Sequence, residues 1–179
     1  MNLGMVTSFI VGGILLLSIL QLDARVLNNT HNSTFDIVAK NNMVGLSSVI
    51  SFDMRKVGYG TSDEAFLTAA SNELSFQGDI DNDGTVDTVT WTYDTTAAVS
   101  GTKNPGDYEL TRTVNGSSMD MSAVITGLTW TYFDSTGNET HVLSYIQSLK
   151  VELICQSPEM VNGDYTQSAW ERSFYPVNK

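Results

Sequence analysis

The apolar positions of this chain change their period near residue 57, and the N-terminal part begins without any charge. From Met1 to Leu22 there is no charged side chain. A helix of about 20 such residues spans the roughly 30 Å hydrocarbon core of a bilayer. Residues 1–22 are therefore predicted to form an apolar membrane or assembly helix. A cleaved secretory signal is the weaker interpretation, because MNLG has no basic residue and no small-x-small cleavage site follows the apolar run.

The next segment, residues 23–57, has the pattern of an amphipathic helix. Between Ile14 and Val57 there is no proline, and Gly45 is the single glycine. Apolar residues recur mostly three, four and seven positions apart, so we expect one helix, or two in line, of about 50 residues. The alternative is a membrane anchor followed by a separate packed helix, with the break at the polar patch NNTHNST.

Beyond residue 57 the period becomes two, which is typical of half-buried strands. The alternating sets are Val89, Trp91 and Tyr93; Leu128, Trp130 and Tyr132; and Leu149, Val151, Leu153 and Cys155. The strand Tyr108–Val114 ends at Asn115-Gly116, which predicts a hairpin turn. Residues 58–179 are therefore predicted to form an antiparallel β domain of four or more strands. The amphipathic part of the helix covers one face of the sheet, which makes the fold α+β.

The net charge and the cysteine content exclude several classes of function. The net charge is −11 and the sequence pI is about 4.3, which argues against binding to nucleic acid or to an anionic membrane surface. A single cysteine, Cys155, excludes an intramolecular disulfide and a multi-cysteine zinc site. Because Cys155 shares the inward face of its strand with Val151 and Leu153, we expect a buried, inert thiol.

Four aspartates are concentrated in one loop with the pattern D-x-D-x-D-G-x-x-D. The predicted metal ligands are Asp79, Asp81, Asp83, Asp87 and the Thr85 carbonyl. Oxygen ligands at this spacing suit Ca²⁺, and Gly84 permits the sharp turn. The loop is not an EF-hand, because Thr90 stands where the bidentate Glu is required and a strand follows. The alternative is an acidic hairpin turn without a metal.

Catalytic patterns are scarce in the sequence. His31 and His141 are the two histidines, and both are expected to be solvated surface residues. No phosphate-binding loop, dinucleotide fingerprint or HExxH motif occurs. The three tryptophans are most simply explained as core residues. We therefore expect a protein that is not an enzyme.

Four segments together resemble the type IV pilin and pseudopilin group. They are the long N-terminal helix with its exit SFDMRKVGYG, the strand entry GDIDNDGTVDTVTW, the strand ITGLTWTYFDSTG and the closing SAWERSFYPVNK. The chain is most similar to minor pilins and to the J-type pseudopilins of type II secretion. The resemblance implies a subunit that starts in the inner membrane and assembles through residues 5–22, with copies of itself or with other pilin-like subunits. The β domain would be displayed on a cell-surface filament.

Processing is where the chain departs from that group. The resemblance implies cleavage between Gly4 and Met5 and methylation of the new N-terminus, yet the leader MNLG has no basic residue. Phe9 stands where the group has a glutamate that pairs with a neighbouring subunit's amine. Four Asn residues begin N-x-Ser/Thr sequons, for which the sequence leaves glycosylation open: Asn28, Asn32, Asn115 and Asn138.

The sequence thus predicts a filament subunit with a calcium-stabilised surface loop. The alternatives are a monomeric, membrane-anchored extracytoplasmic binding protein, a secretion-system pseudopilin, and an anchored hydrolase with an unrecognised site.

Overall fold

The computed structural model describes residues 3–122, 124–160 and 163–178 of the chain, so Met1, Asn2 and Lys179 of the predicted segments lie outside the described residues. It contains one long helix followed by eight strands and a short 3₁₀-helix at Leu143–Tyr145. The α+β class predicted from the sequence is confirmed.

Helix α1, Leu3–Lys56, is continuous for 54 residues, which corresponds to about 80 Å. The polar patch that was an alternative break point is helical. Its hydroxyls bond to the preceding turn of the helix: Thr30 Oγ1 donates to the Val26 carbonyl at 2.9 Å and Thr34 Oγ1 to the Thr30 carbonyl at 2.9 Å. These bonds satisfy the side chains without opening the backbone.

The helix ends where the sequence predicts. Gly58 and Gly60 follow it with φ of 73° and 78°, in the left-handed region that favours glycine. The chain then enters the β domain, with the Gly58 N–H donating to the Gln77 carbonyl at 2.8 Å and the Asp79 N–H to the Tyr59 carbonyl at 2.7 Å. The end of the helix is thereby tied to the second strand.

The strands form two antiparallel sheets. The first has five strands in sequence order: β1 (Phe66–Ala69), β2 (Glu73–Gly78), β3 (Asp87–Ala98), β4 (Tyr108–Val114) and β5 (Ser117–Asp120). The second has three strands: β6 (Ile125–Phe133), β7 (Ser148–Gln156) and β8 (Gln167–Phe174). The predicted hairpin joins β4 and β5, and Asn115 and Gly116 both have positive φ, of 50° and 80°. Such a turn matches the twist of the paired strands.

The core lies between the helix and the two sheets. The alternating residues identified in β3, β6 and β7 are all buried, as predicted. The helix packs mainly on β7 and β8. It does so through a face that begins at Ala39 and comprises Ala39, Met43, Leu46, Ile50 and Met54. The predicted packing of the amphipathic segment on a sheet is confirmed, and within residues 23–57 it involves the part from Ala39 onwards.

Candidate functional site

The exposed part of helix α1 is the largest unusual surface of the molecule. Between Gly4 and Val38 no residue is buried. An 18-residue window of the helix has a mean hydropathy of 2.2, and none of that window is buried. By length and composition the helix can cross a membrane. Soluble surfaces rarely expose a contiguous apolar area of this size, so this segment needs either lipid or other protein around it.

A second exposed apolar face continues past the apolar window. Val26, Ile37 and Val44 are 55%, 58% and 63% exposed. Their spacing places them within about 20° of one another around the helix, and about 180–200° from Leu46, which is buried in the domain. Helix α1 therefore carries two apolar faces beside the domain, one covered by β7 and β8 and one open.

The residues predicted to flank a cleavage site, Gly4 and Met5, lie in the first turns of helix α1 and are exposed. Phe9, at the position where the resemblance implies a glutamate, is 75% exposed. No carboxylate precedes Asp23 on the helix. The first turns of the helix therefore offer no acidic side chain to a neighbouring chain.

The aspartate loop connects β2 to β3 and brings three of its carboxylates together. Asp79 follows β2, Asp87 begins β3, and both are buried, whereas Asp81 is exposed. One carboxylate oxygen from each of the three lies within 4.8 Å of the others. Hard oxygen donors at this separation fit a Ca²⁺ ion, whose ligand oxygens lie about 2.3–2.6 Å from the metal.

Asp83, another predicted ligand, is not part of this cluster. Asp83 turns its carboxylate towards its own backbone, where Oδ1 accepts the Thr85 N–H at 2.7 Å. Asp79 shapes the same turn, since its two oxygens accept the N–H groups of Asp83 and Gly84, each at 3.1 Å. The loop is therefore an Asx-turn structure that also gathers three carboxylates.

Asn115 supports the aspartate loop, a role that the sequence did not reveal. Its Nδ2 donates to Asp87 Oδ1 at 2.6 Å, and its Oδ1 accepts the Thr88 N–H at 2.9 Å. The sequence indicated Asn115 only as a turn residue and a sequon. The hairpin of β4 and β5 thus fixes the orientation of one carboxylate of the cluster.

An ion pair between the helix and the first sheet was also missed. Asp53 is fully buried, and its carboxylate accepts the Arg112 Nε–H at 2.7 Å, the Arg112 Nη2–H at 2.8 Å and the Trp91 Nε1–H at 2.8 Å. The hydrogen bonds that Arg112 donates to Asp53 raise the pKa of Arg112. The signal available in the sequence was a charge on the apolar stripe, since Asp53 stands between Ile50 and Met54.

Asp107 is a second buried acidic residue that the sequence analysis did not single out. It is fully buried, and neither carboxylate oxygen has a hydrogen-bond partner among the described residues. Burial raises the pKa of Asp107, against a smaller lowering effect of the nearby Thr102 hydroxyl and Ile125 N–H. It lies before β4, close to the start of β6.

The remaining singled-out side chains are placed as expected, except Trp170. His31 and His141 are exposed, and His141 Nδ1 lies 2.9 Å from the Ala69 carbonyl oxygen. Cys155 is buried, which raises the pKa of its thiol to about 12 and makes it inert at neutral pH. Trp91 and Trp130 are buried in the core, whereas Trp170 is half-buried.

Compared with known proteins, the chain matches no family model, no curated protein and no solved structure. Its geometry, a long N-terminal apolar helix packed on antiparallel sheets, is compatible with a pilin-like fold.

Proposed function

We propose that this chain is a pilin-like structural subunit, which assembles through its N-terminal helix into a filament at the cell surface or across the envelope. The observation that carries this proposal is the exposed helix: none of its apolar window is buried, and no residue from Gly4 to Val38 is buried. Before assembly the same surface would sit in the inner membrane. In the filament, lipid contacts would be exchanged for contacts with other copies or with related subunits.

The second apolar face supports a filament over a simple anchor. A bilayer needs only about 20 residues of helix, so residues 23–38 extend beyond a span that ends at Leu22. Val26, Ile37 and Val44 then present apolar side chains to water on a rigid rod. Full burial of such a side chain stabilises by about 1.5–3 kcal/mol, which neighbouring copies would provide and a solitary anchor would not.

A monomeric, membrane-anchored extracytoplasmic protein is the second candidate, because a single helix of this length and hydropathy suffices to hold a domain at a membrane. Shear fractionation of cells expressing the full chain separates the two. We expect the protein in sheared extracellular polymers, and an outcome with all of it in the membrane fraction would favour the anchored protein. A secretion pseudopilin would give short polymers that stay in the envelope.

We also propose that Asp79, Asp81 and Asp87 hold a structural Ca²⁺ ion. Three carboxylates within 4.8 Å repel one another, and a divalent cation relieves that repulsion. Outside a cell, millimolar Ca²⁺ fills sites with dissociation constants of about 10⁻⁴–10⁻³ M. The ion would then lock the loop between β2 and β3.

Thermal unfolding with Ca²⁺ or a chelator tests the site. Ca²⁺ should raise the midpoint by a few degrees, since a ligand that binds the native state stabilises it by mass action. Asp81→Asn should abolish the shift without disturbing a buried group. Asp134→Asn is the matched control, because Asp134 forms an Asx turn outside the cluster, with its Oδ1 accepting the Thr136 N–H at 2.8 Å. An unchanged wild-type midpoint would show an acidic turn without a metal.

A further inference from the structure

The exposed helix carries two charged side chains that form no ion pair with the described residues of the same chain. Asp23 and Arg25 are the only charged residues from Leu3 to Phe35, and both are exposed. In the described part of the chain neither forms a salt bridge, whereas the next charges along the helix, Asp36 and Lys40, pair with each other at 2.6 Å. The charges at 23 and 25 interrupt a surface that is otherwise free of charge.

Helix geometry prevents Asp23 and Arg25 from pairing with each other. Residues two apart are separated by about 200° around the helix and about 3 Å along it. The two charges therefore point away from opposite sides of one rod, at nearly the same height. Each copy presents an acidic group on one side and a basic group on the other.

We propose that Asp23 of one copy pairs with Arg25 of the next, and that this contact sets the register between neighbouring helices; the inference rests on the proposed filament function. The contact is heterologous, because it joins two different residues of identical chains. Contacts of this kind form a ring when they close and an open helical polymer when they do not.

The apolar surroundings give the pair its specificity. Parallel apolar helices pack with their axes about 8–10 Å apart and can slide along each other with little change in apolar contact. A charge pair in such a surface favours the stagger that joins opposite charges and disfavours those that leave a charge alone or meet its like.

The test exchanges the two charges in full-length chains, with the yield of sheared filaments as the readout. Asp23→Arg gives a copy that is basic on both sides, and Arg25→Asp one that is acidic on both sides. Each variant alone should lose about tenfold or more of the filament yield, because like charges then meet at every contact. The double variant Asp23→Arg with Arg25→Asp should assemble at near wild-type yield. Co-expression of the two single variants should also restore filaments, with both chains present in each polymer.

The control is Asp36→Arg, which makes the same change of charge further along the helix. Asp36 pairs within its own chain, so this variant should assemble at close to the wild-type yield. Asp23 and Arg25 lie well before Ala39, and Asp36 pairs outside the buried face, so the circular dichroism of all variants should show an intact β domain.

Three outcomes would overturn the inference. Single variants that assemble like the wild type would show that the charges serve only the lipid headgroup region. Equal losses for Asp23→Arg and Asp36→Arg, or no recovery on co-expression, would show a general effect of charge. In each of these cases the wild-type chain would still form filaments, so the proposed function would not be contradicted. A wild-type chain found only as a monomer would instead overturn both proposals.

Discussion

Asp53 joins helix α1 to the first sheet by a salt bridge to Arg112. Its carboxylate accepts three hydrogen bonds, two from Arg112 and one from Trp91. A buried ion pair is favourable only when its remaining hydrogen-bonding capacity is satisfied, and here both partners are well engaged. The pair selects one orientation of the helix, because an apolar stripe alone tolerates rotation.

Asp53→Ala should therefore destabilise the domain by about 3–5 kcal/mol, since Arg112 is left with its charge largely buried. Equilibrium unfolding of the full chain in detergent measures the loss. Asp36→Ala is the matched control: its ion pair with Lys40 has nearly the same length, at 2.6 Å, but is exposed. That variant should change stability by less than about 0.5 kcal/mol. Similar losses for the two variants would contradict the role assigned to the buried pair.

Asp107 predicts a distinctive pH dependence. Its pKa is raised by burial in the folded protein above the ordinary value of about 3.9. A group of this kind stabilises the fold below about pH 4, where it is protonated in both states. That contribution is lost as the pH rises through the folded pKa, because the unfolded chain ionises more readily.

Asp107→Asn should accordingly raise the stability at pH 7, by about 1 kcal/mol or more, since it removes the negative charge that burial disfavours. The gain should shrink towards zero near pH 3. Thermal unfolding from pH 3 to pH 8 follows both chains. Asp134→Asn serves as the contrast: hydrogen bonds from Thr136 lower the pKa of Asp134, so its substitution should bring no gain at pH 7. A destabilised Asp107→Asn variant at neutral pH would show that the charge is needed.

At the scale of elements, the closest approach of helix and sheet is at Gly78. A Cβ placed on Gly78 would lie 2.0 Å from the Lys56 carbonyl oxygen, which is backbone and cannot move aside as a side chain does. Only a residue without a Cβ lets the last turn of helix α1 meet the end of β2. The hydrogen bonds of Gly58 and Asp79 across this junction depend on that approach.

Gly78→Ala should destabilise the protein by about 2–3 kcal/mol through forced separation of helix and strand. Gly101→Ala is the matched control, because nothing lies within 4 Å of a Cβ at that position, and its effect should stay within about 0.5 kcal/mol. Chemical denaturation of the two variants side by side measures the difference. A tolerated Gly78→Ala would indicate that the helix can shift along the sheet without loss.

Structural elements that depend on the pattern of neighbouring residues could be predicted from the sequence. Those that depend on contacts between residues far apart in the chain could not. The alternation in β3, β6 and β7, the Asn115-Gly116 turn and the helix end at Gly58 each depend on a few neighbouring residues. The division into two sheets has no such signal, because the partner of β6 is set by long-range pairing with β7. Asp53 and Arg112, 59 residues apart, were missed for the same reason.

The aspartate loop shows this difference within one motif. Spacing correctly indicated that Asp79, Asp81 and Asp87 come together. It did not indicate that the Asp83 carboxylate would accept the Thr85 N–H. In the sequence, the aspartates at alternate positions of the loop look equivalent to one another. The contribution of Asn115 comes from another hairpin, so the motif itself could not reveal it.

The surface of the molecule has two regions that differ in charge. All but two of the 20 acidic residues follow Val38, so the β domain is strongly negative while the exposed helix is nearly neutral. Like-charged domains repel one another, whereas apolar helices of the proposed filament would attract one another. Such a molecule is suited to close packing at its rods and spacing at its domains.

This division predicts that the domain keeps its stability without the bare helix. A variant lacking residues 1–28 retains more than two helical turns before Ala39, where the covered face begins. It should be monomeric and unfold within about 2 °C of the full chain in detergent, because residues 4–28 are all exposed. A variant lacking residues 1–46 provides the contrast, since it also removes the buried side chains of Met43 and Leu46 and should lose about 4 kcal/mol or more. Calorimetry and sedimentation measure both variants. A shorter chain that aggregates or melts early after loss of residues 1–28 alone would show that the exposed helix is part of the folded core, and the separation of rod and domain would be wrong.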